Sequence, residues 1–172
     1  MAKYFNISGE STQELLAPGS DVSVSKISLT NVQKVSDCRV DLYIKKESEG
    51  SFYLFKNVKI PFGTTLIYDD IRFSNRANEF GLYIKLTDGD SFTLTGTIDP
   101  AASTDVTGVG TKFLTEVSVG DEIVVSGETR TVSAITNDTD LDVTSAFSNN
   151  GNDTTPDCNP TALVDVIINQ FK

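Results

Sequence analysis

The chain has 172 residues, 38% of them hydrophobic, with 14 cationic and 24 anionic side chains, no histidine, two cysteines and a formal charge of −10. Without histidine there is no Ser-His-Asp triad, no Cys-His pair and no histidine-based metal site. Cys38 and Cys158 belong to no CxxC, which excludes a zinc site on ligand count, and the acidic balance argues against a nucleic-acid partner, whose phosphates need a cationic surface.

Taken in chain order, residues 1–6 carry no signal-type apolar run, no window approaches membrane-spanning length, and neither terminus has a lipidation signal. A soluble chain with no membrane partner, made and used without export, is expected. Residues 12–17, stopped by Pro18-Gly19, are one of two short stretches compatible with helix; the other is 111–116. Residues 22–30 and 38–46 alternate apolar and polar side chains with period two, which predicts strands with one buried face. A turn cluster at 47–51 leads into 52–55 as a hairpin, followed by 58–60, the turn Pro61-Phe62-Gly63, and 64–68. Residues 80–86, the turn Asp88-Gly89-Asp90 and residues 91–96 complete a series whose spacing predicts a sandwich or barrel.

The next segment changes composition. Residues 94–158 hold two cations, Lys112 and Arg130, against eleven anions, a net of −9, which leaves −1 for the rest of the chain. Such a shift predicts a separate domain. Inside it, 121–125 and 129–135 are predicted strands joined by the tight turn Ser126-Gly127-Glu128, and 140–144 is a third after the turn Asn137-Asp138-Thr139. Residues 148–160, rich in Gly, Asn, Asp, Thr and Pro, read as a linker or mobile loop. Residues 162–169 form a strand too apolar to hang free, so it is expected to return to the first sandwich. The preferred arrangement is an insertion: 1–94 plus 159–172 as the sandwich and 95–158 as an inserted acidic β-domain. The competing arrangement is two consecutive domains, with the last strand in the second.

The run from Gly108 to Ile123, with Gly108-Val109-Gly110-Thr111-Lys112-Phe113 and then Val119-Gly120-Asp121, resembles a small β-barrel module of tailed-bacteriophage virion proteins. Thr131-Val132-Ser133-Ala134-Ile135 and the stretch 138–143 match its later strands. In this reading the glycines allow the tight turn, Phe113 and Leu114 plug the barrel end, and Val119-Gly120-Asp121 turns the chain into the first hairpin. The run 56–66, with Asn57-Val58-Lys59-Ile60-Pro61, is similar to small sandwich proteins of phage heads, necks, tails or baseplates, as are 27–31 and Leu42-Tyr43-Ile44. The resemblance implies a virion protein made in the host cytoplasm, whose sandwich contacts other virion subunits while the inserted module projects outward.

Several patterns invite chemistry. Asp138, Asp140 and Asp142 alternate and suggest a calcium-binding face, but the glycine and distant glutamate of an EF-hand loop are missing, and a solvated strand face is the preferred reading. Asp69-Asp70 and the pair Asp88 and Asp90 do not qualify as general acid and base without burial. No GxSxG, Walker A or GxGxxG run occurs. Phe52, Tyr53, Phe55, Phe62, Tyr68, Phe73, Phe80 and Tyr83 include candidates for a sugar-stacking platform, although alternation places most of them in the core. A free state for Cys38 and Cys158 is preferred, with a disulfide left open.

These readings converge on an all-β chain: an antiparallel, jelly-roll-like β-sandwich with an inserted small SH3-like β-barrel. No catalytic, cofactor-binding or metal-ligating residue is assigned and no enzymatic activity is expected. The expected role is a structural virion subunit, a capsid decoration, neck or tail/baseplate component with other virion proteins as partners, acting as a homo-oligomer. The alternatives are a carbohydrate-binding module for host-surface adsorption and a hydrolase using carboxylates alone.

Overall fold

The computed structural model describes residues 1–75, 80–101 and 103–172. Its strands are β1 (Ala2–Ser8), β2 (Thr12–Leu16), β3 (Ser23–Asn31), β4 (Cys38–Lys46), β5 (Gly50–Ile60), β6 (Thr65–Tyr68), β7 (Phe73–Ser74), β8 (Gly81–Thr87), β9 (Phe92–Thr93), β10 (Thr97–Asp99) and β11 (Asp105–Val109). A single helical turn, α1 (Phe113–Glu116), precedes β12 (Glu122–Val125), β13 (Glu128–Ile135), β14 (Asp140–Val143), β15 (Asp157–Asn159) and β16 (Leu163–Phe171). Two compact units result: one of 1–32, 37–88 and 162–172, the other of 33–36 and 89–161.

The first unit is a sandwich of two antiparallel sheets. One runs β1-β16-β3-β6, with β7 also on β3, and the other runs β2-β8-β4-β5. Setting aside two-residue β7 and counting the remaining strands of this unit in chain order, the sheets read first-eighth-third-sixth and second-seventh-fourth-fifth. That is the order of a jelly roll. Period-two patterning drives it, because alternate residues of a strand share a face. Val164, Val166 and Ile168 of β16, Ile27 and Leu29 of β3, Val40 and Leu42 of β4, and Leu82, Ile84 and Leu86 of β8 are almost completely buried in one core. Each such side chain contributes roughly 1.5–3 kcal/mol by leaving water. The C-terminal strand lies between β1 and β3, in register from Leu163 opposite Ser8 to Asn169 opposite Ala2.

The second unit is one seven-stranded antiparallel path, β10-β11-β14-β13-β12-β15-β9. Among the described residues its ladder forms no closed barrel, where a small SH3-like barrel was expected; an isolated bridge between Ile98 and Asp153 ties β10 to the segment that precedes β15. Leu94, Ile98, Val106, Phe113, Val117, Ile123, Val125, Val132, Leu141, Val143, Phe147 and Cys158 form its core. Ser126 (φ 51°) and Gly127 (φ 81°) make the two-residue hairpin joining β12 to β13, the left-handed pair that matches strand twist.

Several expectations change. Residues 12–17 are not helical: Thr12–Leu16 pairs with β8, with a register shift between Glu14 and Leu16 that buries Leu15 and Leu16 together. Asp88-Gly89-Asp90 closes no hairpin, since β8 pairs with β2 and β4 while β9 pairs with β15. The unit boundary falls there, so Phe92, Thr93 and Leu94 belong to the second unit, which spans 89–161 rather than 95–158 and also takes in 33–36.

Residues 148–160 are no loose linker. β15 pairs with both β12 and β9, and the Leu94 amide donates to the Pro156 carbonyl at 2.7 Å. The polar side chains suggestive of a linker satisfy backbone amides instead. The Glu128 carboxylate accepts from Ser148 and Asn149 N–H, Asn149 from Gly151, and Asp153 from Ser126 and Thr155. Phe113 is buried in the core of its unit, but Leu114 is 49% exposed. Successive residues of a helical turn point about 100° apart, so one of them fills the core and the other faces out.

Candidate functional site

The outward face of the five-stranded sheet follows from strand phase. Because Val164, Val166, Ile168 and Gln170 face the core, Leu163, Asp165, Ile167, Asn169 and Phe171 face away from it. Cross-strand register sets Tyr4, Ile167, Ser28 and Ile67 in one row across β1, β16, β3 and β6. Tyr4, Ile167 and Ile67 are 73%, 41% and 52% exposed, so large apolar side chains occupy three of the four places in that row. The row on one side is Asn6, Asp165, Thr30 and Thr65, tied by hydrogen bonds from Asn6 to Asp165 (2.6 Å) and between Thr30 and Thr65 (2.9 Å). On the other side lie Ala2, Asn169 and Lys26.

The four-stranded sheet carries a different row: Glu14, Tyr83, Tyr43 and Tyr53 on β2, β8, β4 and β5. Tyr43 and Tyr83 stack at 5.7 Å between centroids, 17° from parallel, and Tyr43 meets Tyr53 at 5.3 Å. The Tyr83 hydroxyl donates to Glu14 at 2.8 Å; burial, helped by that bond, pushes its pKa up to about 12. The Lys56 ammonium sits 4.7 Å from the Tyr53 ring centroid. The rings thus turn their faces toward one another and toward a lysine, whereas a sugar platform needs faces turned to solvent. Of the aromatics singled out in the sequence, Tyr53 and Tyr83 are brought together here. Phe55 and Tyr68 meet edge-on at 5.8 Å and pack against the core, as does Phe80, while Phe73 lies within it. Phe52 and Phe62 are about half exposed. Tyr43 was missed in the sequence, although its phase opposite buried Val40 and Leu42 marks it as outward.

In the second unit the Asp of Val119-Gly120-Asp121 is completely buried. Its carboxylate accepts from Ser118 N (2.8 Å), Thr161 N (2.9 Å) and Gln33 Nε2 (2.9 Å), with the Cys158 thiol at 3.9 Å. Burial raises the Asp121 pKa, opposed by these bonds and by Lys34. Gln33 donates a second bond to the Thr161 carbonyl and Lys34 donates to that of Val117, which explains why 33–36 belongs to this unit. Every donor around Asp121 is an amide or a thiol of the fold, so it is an anchor rather than a reactive carboxylate.

The carboxylates singled out in the sequence do not converge on one another. The Asp138 carboxylate accepts from Leu114 N at 3.0 Å, and its carbonyl from Thr111 and Phe113. Asp142 stands directly opposite Asp105, and their hydrogen bond raises the Asp142 pKa. Among the described residues, no group of three or more acidic or cysteine side chains is placed to hold a metal ion. Asp69 and Asp70 line an open cavity of about 430 Å³ with Ser23, Arg72 and Phe171, and Asp70 is 89% exposed. Asp88 accepts from Ala162 N at 2.7 Å. Cys38 and Cys158 are buried free thiols; burial pushes the Cys38 thiol up to about 11 and raises that of Cys158 as well.

No family model matches the chain. No curated protein matches it either. Among solved structures, the PBSX exported protein XepA aligns at 10% identity over 99% of this chain and 86% of its own, with a TM-score of 0.32. Anabaena sensory rhodopsin transducer aligns at 14% identity over 48% of this chain and 73% of its own, with a TM-score of 0.29. A structure of infectious bursal disease virus, Gx strain, aligns at 8% identity over 98% of this chain and 32% of its own, with a TM-score of 0.24.

Proposed function

We propose that this chain is a structural, non-enzymatic subunit of a tailed-phage virion that works by burying an outward sheet face against neighbouring subunits. The observation that carries the reading is the apolar row of Tyr4, Ile167 and Ile67 on the outward face of the five-stranded sheet. An exposed apolar patch rimmed by polar residues is the mark of a protein–protein contact. The motifs around Gly108–Gly110 and Val119–Asp121, which resemble a virion module, supply the particle context. A jelly roll fits that context but hosts many functions, so the fold alone does not decide. The test is peptide mass spectrometry of gradient-purified particles, followed by imaging to locate the chain. Recovery with the particles is expected; recovery in the lysate alone would sink the reading.

A second reading, a carbohydrate-binding module, draws on the outward tyrosine row, of which Tyr53 is the most exposed member. The mutual stacking of those rings counts against it. A glycan array separates the two, since specific sugar binding lost in Tyr53→Ala would favour the second.

A further inference from the structure

The outward column of β16 is symmetric in its chemistry. Leu163, Asp165, Ile167, Asn169 and Phe171 read apolar, polar, apolar, polar, apolar from either end, with Ile167 at the centre. A two-fold contact requires such self-complementarity, because the same patch serves both subunits. Consider an axis lying in the contact plane, perpendicular to the strands and running along the row of Ile167. It sets Leu163 of one copy over Phe171 of the other, Asp165 over Asn169, and Ile167 over itself.

The neighbouring strands obey the same operation. Tyr4, Ser28 and Ile67 share the row of Ile167, so they lie along the axis and meet their own counterparts. Lys26 shares the row of Asn169, and that row exchanges with the row of Asp165. Across these outward rows, Lys26 and Asp165 are the two charged side chains, and they are opposite in sign. Within one chain they are not register partners, since Lys26 faces Asn169 and Asp165 faces Thr30. Across the axis they come together twice. Aligned sheets cross at about 30° when packed face to face, so the match is closest near Ile167, where these groups lie.

Charge favours the same face. The sandwich unit, residues 1–32, 37–88 and 162–172, has 11 cations and 12 anions, whereas the second unit has 3 cations and 12 anions. Two copies meeting through the sandwich face avoid the self-repulsion that a contact through the acidic unit would bring. We infer that a second copy of this chain covers the outer face of the five-stranded sheet, sheet on sheet, about a two-fold axis through Ile167. The inference rests on the subunit reading above in treating this face as a contact surface, and does not depend on the particle.

The test is sedimentation equilibrium of the full chain over a concentration series. A monomer–dimer equilibrium is expected. Ile167→Lys should weaken dimerisation by on the order of tenfold or more, as burying an unpaired charge at the centre of a contact does, and leave the melting curve near that of the parent at a concentration where both are monomeric. Lys26→Asp and Asp165→Lys should each weaken it alone, and the double exchange should restore most of the loss. A parent that stays monomeric throughout overturns the inference, as does a dimer indifferent to Ile167→Lys or a double exchange no better than the singles. A monomer recovered in purified particles overturns this contact and leaves the virion reading standing. A dimer of this kind in a chain absent from particles does the reverse.

Discussion

Asp121 is a buried carboxylate whose acceptor oxygens are all spoken for. It takes hydrogen bonds from Ser118, Thr161 and Gln33, and an asparagine there would turn an N–H toward one of those donors. Asp121→Asn is therefore expected to cost about 1–3 kcal/mol, and Asp121→Ala at least as much, because it strands buried donors; urea denaturation measures both. The turn at Val119-Gly120-Asp121 was legible in the sequence, but the anchoring role was not. Its donors Gln33 and Thr161 lie 88 and 40 positions away, beyond any local pattern. Glu128 offers a pH test. Its bonds from Ser148 and Asn149, with Arg130 beside it, hold its pKa below the ordinary 4.5. A depressed carboxylate stabilises the fold above its unfolded pKa and loses that contribution as pH falls through the folded value. The Ser148 and Asn149 amide resonances should therefore keep their bonded shifts until the pH drops below 4.5 and lose them as Glu128 takes a proton. Loss of those shifts well above that pH would contradict the arrangement.

At the scale of elements, strands with clean alternation, such as β3, β4 and β8, were legible because one face is buried in each. β1 was missed because Ile7 alone among its residues is fully buried on this edge strand, and β2 was misread because its register shift buries Leu15 beside Leu16. The outward apolar row was hidden for a related reason: Ile167 sits in the continuous apolar run Val166–Ile168, where composition suggests burial of every side chain. Phase against Val166 and Ile168 separates it from them. The tyrosine ladder makes its own prediction. Each aromatic pair contributes about 0.5–1.5 kcal/mol beyond area burial, and Tyr43 takes part in two pairs while Tyr53 takes part in one. Tyr43→Ala should destabilise the chain more than Tyr53→Ala in chemical denaturation, since Tyr43 is also the less exposed of the two. Equal losses would mean that the rings act separately.

For the whole molecule, charge segregation announced a second unit, and its −9 survives the shift of borders to 33–36 and 89–161. The borders moved because strand pairing, not composition, assigns residues to a unit: β9 pairs with β15, while β16 pairs with β1 and β3. The proposed role places the chain among repeated, symmetric contacts, and such contacts fix copy number. Quantitative peptide mass spectrometry of purified particles, counting this chain against the most abundant subunit, bears on that role most directly. A constant small-integer ratio from one preparation to the next is the expected result; a trace amount that varies with purification, or none, would contradict it.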